Sequence, residues 1–117
     1  MQTNYLACKA RARKIVQERL RFFNQTYRVE FVRVSIKDLK SRWGSCSDKK
    51  NLNFHYKVLF LPEELVDYVV VHELCHLIEM NHSHRFWQLV RQTIPDVKKR
   101  ILQLRRIEIE ARKARFP

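Results

Sequence analysis

The first regular hydrophobic pattern in the chain covers residues 3–26. Its hydrophobic side chains recur mostly at steps of three to five positions, which is typical of a helix with one buried face. They are Leu6, Ala10, Ile15, Val16, Leu20 and Phe23. Many of the remaining positions are basic, namely Lys9, Arg11, Arg13, Lys14, Arg19 and Arg21. The pattern therefore predicts a long amphipathic helix with a strongly basic face.

Two later segments alternate between hydrophobic and polar residues, as half-buried strands do. In residues 27–37 the alternation slips by one position near Phe31 and Val32, which predicts a strand with a β-bulge there. Residues 38–51 contain the only glycine of the chain and are predicted to form a loop. The alternation over residues 52–60 is clean and predicts a second strand, with His55 on its exposed face rather than as a metal ligand.

The second half of the chain predicts three helices. The first should run from Pro62 to about Met80, because proline suits the first helical position and acidic residues follow it. This helix is hydrophobic on nearly all sides, which is typical of a buried helix. A short helix over residues 83–93 and a last helix over residues 96–115 follow, and the helical pattern is interrupted at residues 94–96. The order of elements indicates an α+β fold.

Length and composition agree with one globular domain. The chain has 117 residues, of which 45% are hydrophobic and 31% are charged, so residues 1–117 are expected to form a single domain with one core. One glycine and three prolines exclude collagen-like and low-complexity sequences. So few glycines also argue against a glycine-rich phosphate-binding loop.

The charge of the chain is strongly positive and unevenly distributed. The formal net charge is +12. Residues 1–59 carry 14 basic and 4 acidic side chains, whereas residues 60–117 carry 10 and 8. Such a field attracts polyanions, so nucleic acid is a candidate partner through the basic N-terminal half. The alternative is a solvated basic surface that serves solubility alone.

Cysteine usage and hydropathy bear on the compartment. The three cysteines are scattered and form no CxxC pair, which favours reduced thiols in a cytoplasmic protein over a disulfide framework. Residues 1–13 lack the hydrophobic region of a signal peptide, and no hydrophobic run approaches the ~18 residues needed to cross a bilayer. We therefore expect a soluble cytoplasmic protein without a membrane partner.

The predicted buried helix contains His72-Glu73-Leu74-Cys75-His76, an HExxH motif. Residues four apart lie one turn apart on the same helix face, so the two imidazoles can bind one metal ion. Glu73 lies beside His72 and can reach a metal-bound water without binding the metal itself. These polar side chains would be costly inside a hydrophobic helix without a partner. The motif therefore predicts a zinc site with a general base, and the alternative is a pair of hydrogen-bonded core histidines.

A catalytic zinc site needs a third protein ligand, and three downstream residues are candidates. Glu79 follows His76 by three residues on the same predicted helix, too close along the axis to complete a tetrahedral set easily. His82 follows the predicted helix end, where a left-handed turn at Asn81 would bring it under the metal. His82 is favoured for this reason, and His84 remains the alternative.

Three motifs in order give the sequence a family resemblance. They are KSRWGSCS at residues 40–47, PEELVDYVVVHELCHL at residues 62–77 and NHSHRFW at residues 81–87. Together they resemble the YgjP-like metallopeptidase family, which is related to the SprT and Spartan zinc proteases. The resemblance implies a minimal zincin-like α+β domain with an N-terminal helix, a small antiparallel sheet, the HExxH helix and C-terminal helices.

The resemblance also implies roles for individual residues. The metal ligands would be His72, His76 and His82, the general base would be Glu73, and Phe86 and Trp87 would pack behind the metal. Members of that family usually carry an additional N-terminal β-rich portion, whereas this chain begins almost at the first helix. We therefore expect a small sheet, in a truncated or minimal version of the family fold.

The predicted function is hydrolysis of peptide bonds by a zinc-activated water. Zinc lowers the pKa of its bound water to about 7, and Glu73 would take the proton and pass it to the leaving amine. The substrate would be a protein or peptide, bound by residues among Arg42, Trp43 and Tyr68. A strand edge at residues 28–36 or 52–58 would pair with the extended substrate.

Two alternative functions use the basic half of the chain. One is a DNA-dependent protease of the SprT type, which the resemblance suggests. The other is a nucleic-acid binding module whose HExxH motif is not catalytic. Protease activity without nucleic acid would separate the plain peptidase from the binding module, and stimulation by DNA that salt suppresses would identify the DNA-dependent protease.

Overall fold

The computed structural model describes residues 2–115, and these form four α helices, a three-stranded sheet and one 3₁₀ helix. The helices are α1 (Gln2–Tyr27), α2 (Glu63–His76), α3 (His84–Arg91) and α4 (Val97–Arg115). The strands are β1 (Arg33–Lys37), β2 (Gly44–Cys46) and β3 (Asn51–His55), and the 3₁₀ helix Tyr56–Phe60 follows β3 directly. This arrangement confirms the predicted α+β class.

The sheet has the strand order β1-β3-β2 and mixed pairing. β2 is antiparallel to β3, whereas β1 is parallel to β3, with Ile36 opposite Phe54. The small size of the sheet is therefore confirmed, and the purely antiparallel pairing that the resemblance implied is wrong. The parallel pair arises because the chain leaves β1, passes to the far side of the sheet as β2, and returns into the gap between them as β3.

The first strand begins at Arg33, six residues later than the alternation predicted, because α1 continues to Tyr27. The buried phenol of Tyr27 donates a hydrogen bond to the carbonyl of Leu89, 2.6 Å away, which ties the end of α1 to α3. Arg28 follows in the left-handed region with a φ of 52°. The slip in the pattern at residues 31–32 therefore marks a loop that leads into β1, and the predicted β-bulge is wrong.

The middle of the chain also differs from its prediction. β2 lies within the predicted loop, and its three residues are too few to show an alternation. β3 ends at His55 because the chain then coils into the 3₁₀ helix, which buries Val58. His55 is itself buried, and its Nδ1 accepts a hydrogen bond from the backbone amide of Leu39 at 3.1 Å. The predicted surface position of His55 is therefore wrong.

Helix α2 runs through the middle of the core, as its hydrophobic surface predicted. Val70, Val71 and Leu74 are completely buried. α1 packs along α2, and Arg19 of α1 makes hydrogen bonds of 2.6 and 3.0 Å to the two carboxylate oxygens of Asp67 on α2. α3 and α4 pack against other sides of α2. Among the described residues, no helix combines the length and the hydrophobicity that a membrane span requires.

Candidate metal centre

Three imidazoles converge near the C-terminal end of α2. His72 and His76 lie one turn apart on this helix, and His82 lies between α2 and α3; these residues form the histidine cluster. The Nε2 atom of His82 is 2.9 Å from that of His76 and 3.1 Å from that of His72. Tetrahedral zinc with Zn–N bonds of about 2.0–2.1 Å would hold its nitrogen ligands about 3.3 Å apart, so the three atoms are spaced for one ion.

The path of the chain between the helices explains how His82 reaches the cluster. α2 ends at His76, about four residues before its predicted end, and a tight turn at residues 77–78 follows. Asn81 does not adopt the left-handed backbone conformation that was expected of it. The early end of α2, rather than a turn at Asn81, therefore brings His82 back over His76.

The start of α3 supports the far side of the histidine cluster. Ser83 is the N-cap, and its Oγ accepts a hydrogen bond from the backbone amide of Phe86 at 3.3 Å. The ring of Phe86 is completely buried, with its centroid 4.4 Å from that of His76 and 5.0 Å from that of His82. Trp87 stacks on His82 at 5.9 Å. Both aromatic side chains therefore lie against the imidazoles.

Two of the three histidines have an acceptor for their other ring nitrogen. Nδ1 of His76 donates to the carbonyl of Glu79 at 3.2 Å, and Nδ1 of His72 donates to Oε2 of Glu73 at 2.9 Å. In the neutral tautomer both rings then direct an unprotonated Nε2 towards His82. One proton on His82 cannot satisfy both lone pairs, whereas a metal cation can. The donor set therefore fits a zinc ion.

The electrostatic surroundings favour the neutral, metal-binding form of two of these rings. Burial is the main cause that lowers the pKa of His76 and the pKa of His82 below the ordinary value. The neighbouring His72 lowers both pKa values further, because two positive rings at this distance would repel each other. Neutral imidazole is the form that binds metals, so the cluster is prepared for a cation.

The other two candidates for the third ligand lie outside the histidine cluster. The carboxylate of Glu79 faces Arg85, with 3.9 Å between the charged atoms, and His84 is exposed at the start of α3. Within residues 2–115, the histidine cluster is the one group of three or more His, Cys, Asp or Glu side chains whose ligand atoms lie close enough to hold a metal ion. The structure thus brings His82, the favoured candidate, together with the motif.

Glu73 lies beneath strand β2 and is only 3% exposed. Gly44 lies directly above it, because a Cβ atom added at this position would be 3.0 Å from Cγ of Glu73 and 3.1 Å from its Oε2. Real Cβ contacts are seldom this short, so β2 passes over the carboxylate only because residue 44 has no side chain. This role was not predicted, although the presence of a single glycine in the whole chain was a signal for it.

A cleft of about 220 Å³ opens beside His72 and Glu73. The residues predicted to bind substrate, Arg42, Trp43 and Tyr68, all line it. Leu104 of α4 also lines it and was not predicted, because its position in the helical pattern indicated only a core residue. Burial, and then the charge of Glu73, raise the pKa of Tyr68 to about 12, so this phenol keeps its proton at neutral pH.

The strand edge beside the cleft belongs to β2. β3 is paired on both sides, so the free edge predicted at residues 52–58 does not exist. β1 forms the opposite edge of the sheet, where the guanidinium of Arg13 donates to the carbonyl of Val34 at 3.0 Å. The edge predicted at residues 28–36 is therefore not the one at the cleft. β2 is the outer strand on the side of Glu73, and its Gly44 lines the cleft.

The fold is that of a metallopeptidase domain. The chain is similar to the crystal structure of the metallopeptidase zymogen abylysin of Pyrococcus abyssi, with a TM-score of 0.69 and 26% identity, over 76% of this chain and 90% of that chain. It is also similar to the metallopeptidase zymogen jannalysin of Methanocaldococcus jannaschii, with a TM-score of 0.64 and 28% identity, over 81% of this chain and 94% of that chain. No curated protein matches the sequence at a significant level.

The family follows from the sequence as well as from the fold. The model of the YgjP-like metallopeptidase domain matches residues 4–107. The chain therefore belongs to the YgjP-like metallopeptidase family, and the resemblance inferred from its three motifs is confirmed. This membership makes the chain a hydrolase of the peptidase type and implies a bound metal ion.

Proposed function

We propose that the chain is a zinc-dependent peptidase, with the histidine cluster as the metal ligands and Glu73 as the general base. One observation carries the proposal: three imidazole Nε2 atoms converge beside a buried carboxylate on the wall of a cleft. Zinc is the metal that best suits three neutral imidazoles with a fourth position left open. Imidazole also binds copper, iron and nickel, so zinc is preferred here because three protein ligands with an open fourth position are the usual set of a catalytic zinc site.

The residues of the chain divide the chemistry between them. Zinc, when bound, supplies an acidified water with a pKa of about 7 and a Lewis acid for a peptide carbonyl. Glu73 accepts a proton on its carboxylate and passes it to the leaving amine. Tyr68, which keeps its phenolic proton at neutral pH, donates a hydrogen bond to the charge that develops on the carbonyl oxygen.

The substrate is a peptide segment in an extended conformation. β2 is an edge strand beside Glu73, and a free strand edge binds an extended chain through backbone hydrogen bonds. Trp43 and Leu104, which line the cleft, contact the side chains of the substrate. The structure of the cleft therefore favours unfolded or flexible segments over folded surfaces.

Two further features support the expected single domain and the expected cytoplasmic compartment. Helices α1, α2 and α4 share one hydrophobic core, which includes Ala12, Val71 and Leu104, and this supports a single domain over residues 1–117. The cysteines are free thiols, which supports a reducing compartment such as the cytoplasm.

A nucleic-acid-associated protease is the second candidate function, and one face of α1 favours it. Arg11, Lys14 and Arg21 are exposed on this face, together with the acidic Glu18. Arg13 and Arg19, in contrast, are used inside the protein, in hydrogen bonds to β1 and to α2. The surface left for a polyanion is therefore smaller than the basic residues of α1 suggest, and three side chains carry it.

Matched histidine variants test the proposed metal site. We expect one zinc per wild-type chain and hydrolysis of a flexible fluorogenic peptide by the zinc-loaded protein. His82→Ala should lower the zinc affinity by about 10²-fold or more, since the loss of a ligand costs at least as much as the loss of a residue that orients one. His84→Ala, which removes an exposed histidine two positions away, should keep both zinc and activity.

Zinc content, zinc affinity and the rate of peptide hydrolysis are measured for the wild-type protein and for both variants. A wild-type protein that cannot take up zinc would contradict the proposal. The same holds if His84→Ala loses the metal while His82→Ala retains it.

A further inference from the structure

A second cavity, of about 200 Å³, lies next to the cleft. It shares Arg42 and Trp43 with the cleft, so these two side chains form the boundary between the two spaces. The far walls come from His55, Lys57 and the last part of α4. A peptide whose scissile bond lies in the cleft would therefore place a residue next to that bond in the second cavity.

The walls of this cavity are basic. Lys40, Arg42, Lys57 and Arg112 line it, against Glu108 as the one acidic lining residue. Of these cations, Lys40 pairs with Asp38 at 3.2 Å, and the others make no ion pair within residues 2–115. Lys57 lies over the ring of Tyr56 at 5.9 Å but has no carboxylate partner. Cations without anionic partners, gathered around a concave site, favour an anionic occupant.

Two further observations describe the charges around the cavity. The carboxylate Oε1 of Glu108 accepts a hydrogen bond from the indole Nε1 of Trp43 at 3.4 Å, so one oxygen of the acidic lining residue already has a donor. Burial is the main cause that lowers the pKa of His55. The backbone of Lys37 and the charge of Asp38 oppose this shift, and Lys57 and Lys40 add to it, so both lysines and Asp38 lie within electrostatic range of this wall. The cavity therefore presents net positive charge towards the cleft.

We propose that this cavity is a basic subsite that binds a carboxylate of the peptide substrate. This inference rests on the proposed peptidase function and names the substrate class. The carboxylate lies near the scissile bond, since Arg42 and Trp43 line both the cavity and the cleft. Its source is either an aspartate or glutamate side chain or the C-terminal carboxylate of a short peptide, because both present the same anion to Lys57 and Arg112.

Paired peptides distinguish these two sources. The zinc-loaded wild-type protein is assayed on peptides that carry Glu or Gln at successive positions around one cleavage site, and on the same peptide with a free or an amidated C-terminus. We expect kcat/KM to be about tenfold higher for the acidic member of one pair, the scale of one charge-assisted hydrogen bond. A preference for Glu assigns the subsite to a side chain, and a preference for the free C-terminus assigns it to the chain end.

Charge-removing variants connect the preference to the cavity. The double variant Lys57→Gln with Arg112→Gln should reduce the ratio of kcat/KM between the acidic and neutral peptides to about one. Lys98→Gln is the matched control, because this exposed lysine of α4 lies outside the cavity, and it should leave the ratio unchanged. Equal hydrolysis of both members of every pair would overturn the subsite and leave the peptidase standing. A preference that survives in the double variant would overturn it too.

The subsite can be tested even if the proposed peptidase function fails. If no peptide is hydrolysed, the same pairs are compared for binding by calorimetry. Tighter binding of the acidic peptide, lost in the double variant and kept in Lys98→Gln, supports the subsite. Equal binding of both peptides overturns it.

Discussion

Gly44 lies so close to the proposed general base that a single methyl group added at this position would contact it. Its Cα lies over the buried side chain of Glu73, and the cleft opens on the same side. Because the backbone of Gly44 has an ordinary negative φ, the requirement is for space and not for an unusual conformation. The strand and the carboxylate are therefore positioned by each other.

Gly44→Ala should lower kcat for peptide hydrolysis by about 10–100-fold. The added methyl group would lie 3.0 Å from Cγ of Glu73, so either the carboxylate or β2 must move, and small displacements of a catalytic group are costly. One zinc per chain should still bind at saturating zinc, because the added methyl group contacts Glu73 and none of the three ligand nitrogens, although Oε2 of Glu73 accepts a hydrogen bond from Nδ1 of His72. Ser45→Ala on the same strand is the control, and an alanine variant at position 44 with wild-type kcat would contradict this view of Glu73.

At the scale of residues, local spacing made part of the site predictable. His72 and His76 belong to one helix turn, and their common face follows from the helical repeat alone. The partners of Gly44 and His55 could not be found in this way, because each depends on a contact with a distant part of the chain. Glu73 is 29 residues from Gly44, and Leu39 is 16 residues from His55.

At the scale of elements, α2 is both the centre of the core and the carrier of the motif. Its N-terminal half is fixed to α1 by the two hydrogen bonds between Arg19 and Asp67, and its C-terminal half carries His72 and His76. Arg19 also lies over the rings of Phe22 and Phe23, with 4.9 and 5.4 Å to their centroids. The ion pair therefore sets how α1 packs behind the metal-binding helix.

Asp67→Ala should lower the free energy of unfolding by about 2 kcal/mol. A partly buried ion pair that loses one partner leaves a charge without its hydrogen bonds, although solvent at Arg19, whose side chain is 25% exposed, reduces the cost below that of a fully buried pair. Urea unfolding of the metal-free protein measures the difference. Glu63→Gln is the matched control, because this carboxylate is 77% exposed and 3.9 Å from Arg19, and it should change stability by less than about 0.5 kcal/mol. Equal effects of the two changes would contradict the role of Asp67.

The elements themselves differ in how far the pattern could predict them. α1 and α4 span several turns, so their periodicity is repeated often enough to be recognised, whereas α2 is hydrophobic on nearly all sides and is marked by Pro62 and the acidic residues after it. β2 has three residues and no repeat, and it was predicted as loop. The parallel pairing of β1 with β3 follows from the position that β2 takes in space, which the alternation of single strands does not encode.

At the scale of the whole molecule, the net charge of +12 is divided between structural and free cations. On α1, Arg13 and Arg19 are bound within the protein, whereas Arg11, Lys14 and Arg21 are exposed. The proposed site of hydrolysis lies elsewhere, between α2, α4 and β2. A polyanion on α1 would therefore act by holding substrates near the enzyme and not by entering the cleft.

If α1 binds nucleic acid, reversal of its three exposed cations to glutamate should abolish binding to duplex DNA at low salt. The wild-type protein should lose affinity steeply between about 50 and 200 mM salt, and three phosphate contacts correspond to a slope of about −2.7 in log affinity against log salt. Reversal of Lys98, Lys99 and Arg106 on α4 is the control with the same change in net charge. Fluorescence anisotropy measures both. Equal losses in the two variants, or no wild-type binding at low salt, would leave the plain peptidase as the better description.

The role of Glu73 as general base is tested by the rate of peptide hydrolysis by Glu73→Gln, measured together with its zinc content. The amide has nearly the shape of the carboxylate but cannot accept the proton, and Glu73 is assigned as a base and not as a ligand. We predict a loss of about 10²–10⁴-fold in kcat, with one zinc per chain retained and the fold unchanged. An unchanged rate would contradict the role of Glu73 as general base, and loss of zinc along with the activity would show that its carboxylate is needed to hold the metal, either as a ligand or through its hydrogen bond with Nδ1 of His72.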